Sequence, residues 1–198
     1  MIDLYEQAKT SKQHVGACST EIQYPGVSSC ITITFYFPET RGGPLLVGGH
    51  FGLNDPSGSQ VSENTINSMT AKMQNLVPTG AGGGQYQPTV ALVIGQMGNW
   101  MEGDLEDRKQ LLYTFVDTIA PPPHRQLRTN LKAWDIGDIS EQDTGNFSTA
   151  DITVSITGQI VVEGLKNGDN VTKVRATDTF PVFFGFPVHL HHVQHQLW

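Results

Sequence analysis

The stretch Val27-Ser28-Ser29-Cys30-Ile31-Thr32-Ile33-Thr34-Phe35-Tyr36-Phe37 decides the fold, because it alternates without a break and starts from a cysteine. In an extended chain Ile31, Ile33, Phe35 and Phe37 point to one face, and Cys30, Thr32, Thr34 and Tyr36 to the other. A cysteine serving only as a small hydrophobe belongs with the isoleucines. This one stands on the polar face, directly after two serines, and that parity marks it as a candidate for chemistry.

The next segment, Pro38 to Pro44 (PETRGGP), reads as a turn, and Leu45-Leu46-Val47-Gly48-Gly49-His50-Phe51 as the returning strand. If Phe37 pairs with Leu45, Thr32 faces His50 and Cys30 lies one diagonal step away on the same face. A slip of two residues would put Cys30 directly opposite His50. Either register keeps both side chains on one face, whereas a slip of one would separate them. Opposite and diagonal neighbours are about 5 and 7–8 Å apart, within reach of an imidazole ring. A thiol beside an imidazole is the arrangement of a cysteine nucleophile, in which the ring favours thiolate and serves as base. On this reading Cys30 labels with iodoacetamide faster than Cys18. Gly48-Gly49 leave backbone space for a substrate side chain, and Ser28, Ser29 and the N–H groups around Cys30 line an oxyanion site. The plainer reading is a buried cysteine beside a hydrogen-bonded histidine.

Outward from this hairpin, residues 14–24 read as a strand closed by the Pro25-Gly26 turn. Residues 65–77 carry Ile66, Met69, Met73 and Leu76 at helical spacing before Pro78. Gly80 to Gly84 (GAGGG) lacks the Lys-Ser/Thr of a phosphate loop and reads as a plain loop. Val90 to Met97 reads as a buried strand, 104–119 as a second helix stopped by Pro121-Pro122-Pro123, and 131–136 as a strand. Residues 152–156 and 160–162 form a hairpin about Thr157-Gly158, and 171–177 and 180–192 are extended. This order predicts an α/β (α+β) fold: a single-domain sandwich of mixed β-sheets with two main helices over residues 1–198.

With 12 basic against 19 acidic residues, a net charge of −7 and no basic cluster, the chain is not built for nucleic acid. Nothing approaches the roughly 18 consecutive apolar residues of a membrane span. No secretory h-region is visible, which fits a cytoplasmic protein or one exported without a classical signal peptide. Cys18 and Cys30 are too few for a disulfide framework or a four-cysteine zinc site, and both read as free thiols.

Gly26-Val27-Ser28-Ser29-Cys30, the strand to Pro38 and the return Leu46-Val47-Gly48-Gly49-His50 resemble the CheD family of bacterial chemoreceptor glutamine deamidases. VALVIGQMGNW (90–100) resembles that family's central strand, and WDIGDISEQDTGNF with ADITVSITGQIVV (134–162) its Asp-x-Gly-Gly segment and last hairpin. The resemblance spans about residues 14–165 and leaves 166–198 as a C-terminal extension. It implies the fold and Cys/His chemistry shared with the cytotoxic necrotizing factor deamidase toxins. Cys30 would be the nucleophile and His50 the base, converting a protein glutamine to glutamate and ammonia through a thioester, with no cofactor or metal. The partner would be a protein bearing that glutamine, chemoreceptor-like or host, with no nucleic acid and no membrane insertion. Tyr24 stands at the family's third-member position, where a threonine is usual.

Three alternatives stay open on the same fold: a catalytically inactive binding module, a secreted effector or toxin deamidase, and a transglutaminase using an amine acceptor. Cys18, in GACST, is the rival nucleophile, but no histidine follows it on a return strand. His189, His191, His192 and His195 near the end have pairwise metal-ligand spacing, although no carboxylate or thiol beside them completes a site.

Overall fold

The structure, a computed structural model, describes residues 1–6, 9, 12–54, 57–80, 82–100, 116–117, 130–136, 147–166 and 173–180. Among the described residues ten strands fall into two five-stranded sheets. Sheet I has the order β1 (Ile2–Asp3), β3 (Glu21–Val27), β8 (Phe147–Ser155), β9 (Gln159–Lys166), β10 (Lys173–Thr179). Sheet II has the order β2 (Val15–Cys18), β5 (Leu45–Phe51), β4 (Ile31–Phe37), β6 (Val90–Gly95), β7 (Leu131–Asp135). Both sheets are mixed: β1–β3 and β6–β7 are parallel, and the other pairs antiparallel. The class is α+β, as the alternating patterns predict.

The central strand β4 sets the layering. Its odd residues Ile31, Ile33, Phe35 and Phe37 pack with Met69, Met73 and Val77 on and after α1 (Glu63–Leu76). Its even side meets sheet I: Cys30 and Tyr36 share one core with Ile22, Tyr24, Val27, Ile152, Val154 and Ile160. The described residues therefore layer as helix, sheet, sheet. Every residue of β4 is buried, so its Ile/Thr alternation does not separate core from solvent. The threonines are accommodated by hydrogen bonds: Thr32 Oγ1 donates to the Ile94 carbonyl at 2.8 Å, and Thr34 Oγ1 lies 2.6 Å from the Tyr24 hydroxyl.

Several boundaries differ from the sequence expectation. Residues 14–24 are not one strand: the chain leaves sheet II after Cys18 and enters sheet I at Glu21, through the exposed Ser19 and Thr20. Pro25-Gly26 is not the turn but a bulge inside β3, between Tyr24 and Val27. A bulge spares Pro25 a ladder bond it cannot donate, and Gly26 takes a φ of 69° while its N–H reaches Asp151 Oδ1 at 2.8 Å. Helix α1 is capped by Ser62, whose hydroxyl accepts from the Thr65 N–H. Its buried stripe runs through Met69, Thr70 and Met73, while Leu76 is 38% exposed. The strand expected over 90–97 ends at Gly95 and passes into a 3-10 turn, Met97–Asn99. Of the expected helix 104–119 only Val116 and Asp117 are described, both helical. The extended segment expected over 181–192 lies outside the described residues.

Candidate functional site

The turn between β4 and β5 sets the register that matters. Phe37 pairs with Leu45, and Thr32 therefore stands opposite His50, with Cys30 one alternation further on. Both Cys30 and His50 are 0% exposed. Diagonal neighbours of this kind have Cα atoms about 7–8 Å apart.

His50 has a defined tautomer. Its Nδ1 donates to the Leu4 carbonyl at 2.9 Å, so in the neutral ring Nε2 carries the lone pair. That Nε2 is buried and has no hydrogen-bond partner. Burial, reinforced by Lys9 and His14, lowers the His50 pKa to about 4 against a weaker upward pull from the Leu4 bond. The ring is a neutral base at pH 7. Sγ of Cys30 makes no hydrogen bond to Nε2, so the expected close contact is not made in this state.

Cys30 is a neutral thiol. Burial chiefly, and the Glu6 carboxylate next, push its pKa up to about 11. The backbone N–H groups of Ser28 and Ser29 and the Ser29 hydroxyl act in the other direction, on the sulfur, and do not offset the burial. The thiolate–imidazolium pair expected from sequence is thus replaced by two neutral partners, because a nearly dry site disfavours both charges. The turn is held from outside. The Trp100 indole Nε1 donates to the Ser29 carbonyl at 2.9 Å, and the Gln96 N–H to the Cys30 carbonyl at 3.0 Å. Fixing the Ser29 carbonyl fixes the peptide plane it shares with the Cys30 N–H, which points the opposite way across that plane.

Tyr24, which the resemblance sets where a third member is expected, does not bond His50. Its hydroxyl lies 2.6 Å from Thr34 Oγ1 and donates to the Ile33 carbonyl at 3.1 Å, and its ring meets the imidazole edge-on at 6.0 Å. The orienting group on His50 is the main-chain oxygen of Leu4 instead.

The space beside Gly48 and Gly49 is filled in this structure and not open. A Cβ on Gly48 would strike the Tyr24 hydroxyl and approach Leu4 Cδ1 to 3.2 Å, and one on Gly49 would meet Met73 Sδ at 2.8 Å. The glycines let the sheet accept Tyr24 and Leu4 on one side and the helix on the other.

Cys18 pairs with Leu46, four residues from His50 along β5, or about 13 Å of strand. It is partly exposed. Partial burial is the largest single influence and raises its pKa, but hydrogen bonds from the Thr20 hydroxyl and from the Thr20 and Glu21 backbone together bring it down to about 7. The expected labelling order is therefore reversed. At pH 7 iodoacetamide should modify Cys18 at least about 10²-fold faster than Cys30, since thiolate fraction and access both favour it. Peptide mapping of a partial reaction checks this, and equal rates would contradict the burial of Cys30.

Among the described residues no three His, Cys, Asp or Glu side chains gather as metal ligands. The histidines at 189–195 lie outside the described residues. A depression of about 310 Å³ on the outer face of sheet I is bordered by Thr149, Asp151, Glu163 and Arg175. Its lining carries the exposed Glu163–Arg175 ion pair and includes neither Cys30 nor His50.

Sequence reading missed Leu4, Glu6 and Trp100. The alternation Ile2, Leu4, Glu6 was the available signal for a short strand, but nothing local told which strands it would lie against. No protein-family model matches the chain, and no curated protein matches it. Among the described residues no helix is long and apolar enough to cross a membrane.

Proposed function

We propose that this chain is a cysteine-dependent protein-glutamine deamidase with Cys30 as nucleophile and His50 as base. The observation that carries the reading is His50, a wholly buried imidazole locked by Leu4 into the tautomer whose free Nε2 shares a sheet face with a thiol. A buried nitrogen left without a partner costs about 1–3 kcal/mol, a cost that a base awaiting a substrate explains.

In the proposed cycle Nε2 takes the Cys30 proton as sulfur attacks the carboxamide carbon of a glutamine. The imidazolium returns that proton to the nitrogen, the C–N bond breaks and ammonia leaves a thioester. Water, deprotonated by the same Nε2, cleaves the thioester to glutamate and restores the thiol. The Cys30 N–H, held by the Trp100–Ser29 bond, and the donors of Ser28 and Ser29 would face the charge that develops on the carbonyl oxygen.

The complete burial of Cys30 and His50 favours a second reading, a silent binding module on the same fold. The two separate by experiment. The wild-type chain, given casein in excess, should release ammonia and raise glutamine-containing peptides by about one dalton per site, and the Cys30→Ser chain should do neither. If an added primary amine is incorporated in place of water, the same site is a transglutaminase. No Cys30-dependent product of either kind would leave the binding module.

A further inference from the structure

Residues 2–6 lie across the Cys30–His50 site, and what holds them there is mostly their backbone. Ile2–Asp3 pairs in parallel with Ile22–Gln23 of β3. The Leu4 N–H donates to the Gln23 carbonyl at 2.8 Å, and the Leu4 carbonyl accepts from His50 Nδ1 at 2.9 Å. The Tyr5 N–H donates to the Gln13 carbonyl at 2.8 Å, and the Tyr5 carbonyl accepts from His14 Nδ1 at 2.9 Å. Four consecutive main-chain polar groups are thus satisfied by fixed partners. This is how a slot recognises an extended peptide whatever its sequence.

Side chains supply selection. Leu4 is 0% exposed and fits a notch kept open by glycines: a Cβ on Gly16 would lie 3.0 Å from Leu4 Cδ2, and one on Gly48 3.2 Å from Leu4 Cδ1. Glu6, two residues on, lays its carboxyl group on Gly52. A Cβ at Gly52 would meet the Glu6 carboxyl carbon at 2.7 Å. Continuing the β4–β5 register past Ile31 and Phe51 places Gly52 beside Cys30. The same carboxylate acts on the Cys30 thiol, raising its pKa.

We infer that residues 2–6 occupy the substrate slot as a bound product mimic, and that the substrate is an extended segment with an aliphatic residue two positions before the glutamine. Glu6 stands where the reaction's glutamate would stand, Leu4 fills the specificity notch, and the carbonyl of the residue in Leu4's place orients His50. This rests on the deamidase reading and adds to it the shape of the substrate and the reason the resting site is closed. An incoming peptide replaces the segment bond for bond.

The inference predicts that the enzyme acts on itself. In Glu6→Gln the Cys30 sulfur bonds to the new carboxamide carbon at position 6, ammonia departs with the thiol proton relayed by His50, and water returns that side chain to glutamate. The full-length Glu6→Gln chain should therefore gain about one dalton at position 6, located by fragmentation mass spectrometry, while Glu6→Gln/Cys30→Ser keeps its amide. In trans, a peptide of residues 1–6 carrying Glu6→Gln should be converted by the wild-type chain, and the same peptide with Leu4→Asp at least about tenfold more slowly, the loss of one buried apolar anchor. Casein conversion that depends on Cys30, with the position-6 amide and both peptides untouched, would overturn the slot and leave the deamidase reading standing. Equal rates for the two peptides would overturn the Leu4 notch. Loss of the position-6 amide in the Cys30→Ser background would also refute the inference, since another route would then be acting. If casein, the position-6 amide and the peptides all stay unchanged, the deamidase reading falls and the slot with it.

Discussion

Replacing His50 by alanine is expected to slow Cys30-dependent glutamine conversion by about 10²–10⁴-fold, the range for losing a positioned acid–base group. The loss should be large because the Cys30 thiol does not ionise unaided. Burial and Glu6 hold it near 11, so at pH 7 only about one molecule in 10⁴ is thiolate without help. In the proposed cycle the proton leaves as the sulfur attacks, and the unpartnered Nε2 on the same face accepts it. Cys30→Ser should remove turnover altogether, because a serine hydroxyl is harder still to ionise. Cys18→Ala should keep most of it despite the lower pKa of that thiol, since Cys18 stands about 13 Å along the strand from the base. Initial rates of ammonia release from casein check all three. Activity in Cys30→Ser together with its loss in Cys18→Ala would transfer the nucleophile to Cys18.

The second large effect concerns stability in acid. Burial lowers the His50 pKa from an ordinary 6.5 to about 4. In the unfolded chain the ring binds its proton near pH 6.5, while the folded chain resists until about 4. The folded pKa is depressed, so the contribution is fully present above 6.5 and is lost as pH falls through that window. At about 1.4 kcal/mol for each pH unit this amounts to roughly 3 kcal/mol, more than a hundredfold in the folding equilibrium. His50→Asn keeps a donor for the Leu4 carbonyl and does not titrate. Denaturant unfolding at pH 7 and pH 4 should therefore show the wild-type chain losing about 3 kcal/mol more than His50→Asn. Parallel losses would mean that His50 protonates freely in the folded state.

The hairpin was legible because it is local. Alternation from Cys30 to Phe37 and a short polar turn to Leu45 fix which side chains share a face, and the structure has Phe37 opposite Leu45 and Thr32 opposite His50. What alternation cannot tell is what covers each face. Thr32 and Thr34 look like solvent residues and are buried against sheet I, each with a hydrogen bond to a group that local pattern does not point to. The same limit holds for Cys30: its parity marks it for chemistry but does not tell that this face is an interior between sheets, where burial raises the thiol pKa. Gly48 fails for a similar reason. A glycine beside a histidine suggests room for a ligand, but the room was already taken by Tyr24 and Leu4 from segments far along the chain. Pro25-Gly26 shows the reverse error, a strong turn signal absorbed as a bulge because β8 offers Asp151 to the Gly26 N–H. The placement of Leu4 and Glu6 was not legible because it depends on main-chain groups of Leu4 and Tyr5 bonding Gln23, His50, Gln13 and His14, which no local pattern encodes.

The most direct test of Cys30 as nucleophile is to catch the acyl-enzyme. The wild-type chain is mixed with the residue 1–6 peptide carrying Glu6→Gln, in large excess to compete with its own residues 2–6, and quenched in acid within seconds. Intact-mass and fragment spectra then locate any adduct. The account predicts an adduct of the peptide less one ammonia, attached to Cys30, discharged by hydroxylamine and longer-lived in His50→Ala relative to its rate of formation, since deacylation also needs the base. An adduct on Cys18, or glutamine conversion with no adduct on Cys30 at any time, would contradict it.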